Sequence, residues 1–153
     1  MDTHTLSMGD MMDSTIEALE CITSGVDMGI NAIDELIEDL PEEKMKRMMI
    51  KQKESYQHLK HECEQKLEML NRQNENHHTF ETWMAKSMIK MKTMMNNDPK
   101  QIAKMLIEGS NKAILSMHAL LNDKDDILME VRKLSEQFIQ LEKEHIREWE
   151  PYL

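Results

Sequence analysis

The chain has 153 residues, 40% hydrophobic and 31% charged, which is enough to build one domain around its own core. Four glycines, three prolines and only six aromatic residues predict long uninterrupted helices and exclude a large aromatic-lined cofactor pocket. The net charge is −10 and all of it lies in residues 1–40, which carry ten Asp or Glu and no Lys or Arg; this balance repels phosphate backbones and anionic bilayers, so no nucleic acid and no membrane is expected as a partner.

Residues 1–13 are polar and Met-flecked and read as a flexible N-terminal tail ahead of a single helical domain over 14–153. Ser14 starts the first helix, with Glu17 three residues on as a capping box. Its apolar stripe is Ile16, Leu19, Val26, Ile30, Ile33, Ile37 and Leu40, at three-four spacing. Gly25 and Gly29 lie within the helix and permit a close helix contact, at a cost in propensity. Pro41 falls in the first turn of a second helix, where its missing N–H does no harm. That helix presents Met45, Met49, Gln52, Tyr56, Leu59, Cys63, Leu67 and Leu70, and residues 71–78 follow as a polar loop.

Thr79 opens a further helical stretch with Phe80, Met84, Met88, Met91 and Met95 on one face. Asn96 and Asn97 stop it. Asp98 as N-cap and Pro99 as first-turn residue begin the next helix, whose stripe is Ile102, Leu106, Gly109, Ala113, Met117 and Leu120. Residues 122–125 read as a tight turn. The last helix, from 124 to about Trp149, buries Ile127, Val131, Leu134, Phe138, Leu141 and His145, and Pro151 closes it. No sustained period-two alternation competes, so the fold class is all-α. The four main helices, near 14–39, 42–72, 99–121 and 124–149, are each about 35–45 Å long. Short links make the first two and the last two antiparallel pairs. Residues 73–98, with a helix of about 27 Å, are long enough to carry the chain from one end of the bundle to the other.

Glu142 and His145 on the last helix form a Glu-x-x-His element, which in four-helix bundles is part of a di-iron or di-manganese site. The chain resembles the ferritin-like superfamily, and most closely its small bacterial domains of unknown function. The residues that carry this are Leu19-Glu20-Cys21-Ile22, Gly25-Val26-Asp27-Met28-Gly29-Ile30, Trp83, Ile107-Glu108-Gly109, Gln137 and His145, within a match over about residues 14–149. The resemblance implies a ferritin-like four-helix bundle with an additional crossover helix between helices two and three. It also implies self-association and, in relatives that bind metal, Glu on helices one and three with Glu-x-x-His on helices two and four.

Helical phase tests that ligand set, at about 100° per residue. His145 falls on the last helix's stripe, although in its final turn, and Glu142 falls at the stripe's edge. On the second helix Glu54, His58 and His61 point to solvent, while the inward positions hold Gln52, with Ser55 at the edge. On the helix after Pro99, Glu108 points outward and Ser110 inward. On the first, Asp27 and Asp34 flank the stripe. One ligand element of four survives, so Glu142 and His145 read first as a hydrogen-bonded helix end and second as a metal site.

The methionines offer a soft Cu(I) site around Met88, Met91 and Met94, but most of the 17 follow core periodicity and read as gap-fillers. Uncovered, the face of Phe80, Met84, Met88, Met91 and Met95 would be a dimer or partner interface. His77 and His78 read as solvated. Cys63 reads as inert core, and Cys21 as an outer thiol whose acidic neighbours make it a poor nucleophile. Two cysteines without Cys-x-x-Cys spacing and an N-terminus without an apolar run predict a cytoplasmic protein. No nucleophile motif or phosphate-cradling glycine loop occurs. The expected function is non-enzymatic, without cofactor, through homo-oligomer (dimer) formation or a protein partner's helix. The alternative is a bundle binding iron or copper in a storage or oxidase role.

Overall fold

The computed structural model describes residues 8–70 and 98–153. Helix α1 spans Met8–Leu36, α2 Glu43–Met69, α3 Pro99–Asp123 and α4 Met129–Trp149, with 3₁₀ turns at Ile37–Asp39 and Glu150–Tyr152. No strand occurs among the described residues. The stretch carrying Phe80, Met84, Met88, Met91 and Met95, together with His77, His78 and Trp83, lies outside them.

Helix α1 starts at Met8, ahead of the Ser14 start expected from the capping box, and Ser14 is buried inside it. Asp10 in its first turn complements the helix dipole, and half-buried Met11 and Met12 extend the apolar side. Residues 8–13 are therefore helix rather than tail. At the other end Leu40 is driven to an extended conformation (φ −70°, ψ 134°) by the proline after it. Pro41 accordingly sits in the turn, with Glu42 as N-cap of α2, rather than in the first helical turn.

On α2 the expected stripe from Met45 to Leu67 is buried residue for residue. Asp98 caps α3 through its carboxylate, which accepts from the Lys100 N–H at 3.1 Å. Helix α3 departs from its expected stripe: Gly109 is exposed, and Leu121 is buried where Leu120 was expected. It also runs on through Asn122 and Asp123, so the turn falls at 124–128. Tertiary partners decide this. The Arg132 guanidinium donates to the Lys124 carbonyl at 2.7 Å and the Leu121 carbonyl at 3.4 Å, and Thr15 Oγ1 accepts from the Leu128 N–H at 3.1 Å.

Ion pairs fix the directions. Lys60 with Asp27 (2.6 Å) and Lys53 with Asp34 (2.5 Å) make α1 and α2 antiparallel. Lys66 with Glu130, and Gln52 with Trp149, make α2 and α4 antiparallel. The Arg132 bonds place the end of α3 beside the start of α4. Helices α2 and α3 therefore run the same way, and Met69 and Pro99 stand at opposite ends of the bundle. The expected glycine contacts are present on α1. A Cβ on Gly25 would overlap the Phe138 ring of α4, and one on Gly29 the Tyr56 ring of α2.

Candidate functional site

Tyr56 stands near the middle of α2 because Gly29 leaves room for its ring. Its hydroxyl donates to Glu142 Oε1 at 2.6 Å, and Ser110 of α3 lies close to both. His145, one turn past Glu142, meets the Tyr56 ring edge-on, with centroids 4.7 Å apart and planes at 87°. One turn further, Trp149 Nε1 donates to Gln52 Oε1 at 3.2 Å. Three helices, α2, α3 and α4, thus bring together Tyr56, Gln52, Ser110, Glu142, His145 and Trp149. Glu142 is 2% exposed and His145 3%.

Burial sets the protonation. It raises the Glu142 carboxyl above its ordinary range, outweighing the nearby Ser110 hydroxyl and the bond from Tyr56, which pull the other way. Burial, then the Glu142 charge, pushes the Tyr56 hydroxyl well above its ordinary value. His145 is lowered to about 4 by burial and is neutral at pH 7. Its Nδ1 and the Gln52 Nε2 are buried without a hydrogen-bond partner. Gln52 Nε2 faces Glu148, whose charge it steadies, but stops short of hydrogen-bond geometry.

The expected inward residues Gln52, Ser110 and His145 meet here, and Glu142 is fully inside rather than at an edge. The objection that His145 stands at a helix end loses force, because α4 is short there and Tyr56 and Ser110 are central on α2 and α3. Ser55 does not take part: it is exposed and bonds back to the Lys51 carbonyl. Glu54, His58, His61 and Glu108 are exposed as expected, while Asp27 and Asp34 pair with lysines. Tyr56 and Trp149 were read as core and helix end rather than site residues. The signal that could have found them is the four-residue spacing of Gln52 with Tyr56 and His145 with Trp149, on matching faces.

The arrangement does not fit a two-metal centre. Tyr56 occupies Glu142 Oε1, and Trp149 holds the Gln52 carbonyl, leaving its amide hydrogens where a ligand oxygen would be needed. Among the described residues no three His, Cys, Asp or Glu side chains converge as a metal-binding group. No described helix is long and apolar enough to cross a membrane.

Residues 14–123 match the family described as a domain of unknown function, DUF2383, and the chain belongs to that family. The matched span contains Gln52, Tyr56 and Ser110, whereas Glu142, His145 and Trp149 lie beyond it. No curated protein and no solved structure matches the chain.

Proposed function

We propose that this protein is a non-enzymatic ferritin-like bundle that acts by helix association, first with a second copy of itself. The observation carrying this reading is the filled centre: the Tyr56 hydroxyl on Glu142, with the ring seated on Gly29. Two oxygens that could bind an ion, Glu142 Oε1 and Gln52 Oε1, are instead engaged by Tyr56 and Trp149, and buried hydrogen bonds of this kind between helices fix their register. The common direction of α2 and α3 supports the ferritin-like assignment, because the chain between them joins opposite ends, as the long crossover of that fold does.

The association surface is the end of the bundle where α1 and α4 begin and α2 finishes. Met8 (85% exposed), Met69 (73%) and Met129 (66%), with Leu128, all lie toward that end. Exposed apolar side chains from three helices at one end of the bundle call for cover. Light scattering over a concentration series tests this. A dimer that becomes monomeric on Met69→Lys with Met129→Lys is expected, and a strict monomer at every concentration overturns it.

The metal reading keeps one favourable observation, the unbonded His145 Nδ1 beside buried Glu142. Elemental analysis of protein purified without chelator, with a ferrous-oxidation assay, decides between the two. Stoichiometric iron or copper lost on His145→Ala would replace the association reading with the metal one.

A further inference from the structure

The α2–α4 side of the bundle holds an open groove of about 470 Å³. Leu59 and Leu141 form its apolar floor, Glu54, His58 and Glu62 its α2 rim, and Gln137 the opposite wall. The rim residues are four apart, so they form one ridge, and Ile50, 46% exposed, continues it. Charge is distributed unevenly along this side. Lys66 with Glu130 crosses it at one end, and Lys51 faces Glu148 at the other. Between them no Lys or Arg lines the groove. Glu62 meets His58 Nε2 at 3.1 Å, and Glu54 has no ion-pair partner among the described residues.

We propose that this groove docks a cationic amphipathic helix of a partner protein. Glu54 and Glu62 are about 12 Å apart along α2, the rise of eight helical residues. A helix lying along the groove matches them with two Lys or Arg seven or eight positions apart. An apolar residue midway covers Leu59 and Leu141, and a further one reaches Ile50. The crossing angle of about 20° usual in bundles lets such a helix lie against both α2 and α4. The acidic rim selects against the chain's own first helix, which carries no Lys or Arg. The occupant is therefore not a second copy's α1, and the groove is a different surface from the apolar end proposed for self-association.

The test uses the full chain and a fluorescein-labelled, alanine-rich helical peptide with Lys at two positions eight apart and Leu midway. Fluorescence anisotropy at physiological salt should show saturable binding. Glu54→Lys with Glu62→Lys should weaken it at least ten-fold with unchanged circular dichroism. Glu38→Lys with Glu108→Lys, the same charge change on other exposed faces, should alter it less than two-fold. No binding to the unmodified chain, or equal weakening by both double variants, overturns the proposal. A strict monomer that still binds the peptide overturns self-association alone, and a dimer that does not bind it overturns the groove alone.

Discussion

The Tyr56 hydroxyl lies 2.6 Å from Glu142 Oε1, and the ring behind it rests against Gly29 on the opposite side. One aromatic side chain thereby ties α1, α2 and α4 together at the centre of the bundle. Its ring depends on a missing Cβ, and its hydroxyl on a buried carboxylate.

The close approach predicts a contrast between two glycines. Gly29→Ala drives a Cβ into the Tyr56 ring and should destabilise by about 1–3 kcal/mol through overpacking. Gly109→Ala meets open space on an exposed helix face and should stabilise by about 0.5–1 kcal/mol through helix propensity. Urea unfolding of both variants measures the difference, and equal effects would remove the packing argument.

Tyr56→Phe keeps the ring but takes the donor from Glu142. The loss should be about 1–3 kcal/mol, the cost of leaving a buried acceptor short of a partner. Adding Glu142→Gln should cost less than the sum of the two single changes, since the pair acts as a unit. Additive losses in the double-mutant cycle would show that the contact contributes nothing of its own.

Stability should depend on pH through two opposed groups. His145 titrates near 4 in the folded chain against 6.5 unfolded, so the unfolded chain binds more protons in that window. Stability then falls as pH drops below about 6.5, by at most roughly 3 kcal/mol at pH 4. Glu142 is raised, so the folded chain binds more protons above pH 4.5, and its contribution falls as pH rises through its folded value. Removing His145 as His145→Phe should flatten the decline between pH 6.5 and 4, whereas Glu142→Gln should steepen it. Chemical denaturation at a series of pH values gives both slopes, and an unchanged slope in His145→Phe would contradict the assignment.

Neither thiol should react readily. Burial pushes Cys21 up to about 11, with Glu17 adding to it, and Cys63 to about 12. At pH 8 both should react with an aromatic disulfide at least ten-fold more slowly than free cysteine, and Cys63 only as the chain opens. Mass spectrometry of time points resolves the two sites. Fast labelling of Cys63 in the folded protein would mean that its part of α2 opens freely.

Hydrophobic periodicity by itself determined the all-helical class and the buried face of α2 from Met45 to Leu67, because these depend on residues three or four apart, and the short links set the antiparallel pairing within each hairpin. Periodicity also placed Gln52, Ser110 and His145 inward. The end of α3 and the start of α4 were decided by tertiary contacts: Arg132 on the last carbonyls of α3 and Thr15 on the Leu128 N–H, with partners 8 to 113 positions apart. The same holds for the site. Spacing along one helix brings Glu142 close to His145, but only packing brings Tyr56, 86 positions away, onto Glu142, and Trp149, 97 positions away, onto Gln52. Local pattern specifies which face of a helix is buried; which groups meet within the core is set by how the faces interlock, and here that depends on the space left by Gly29.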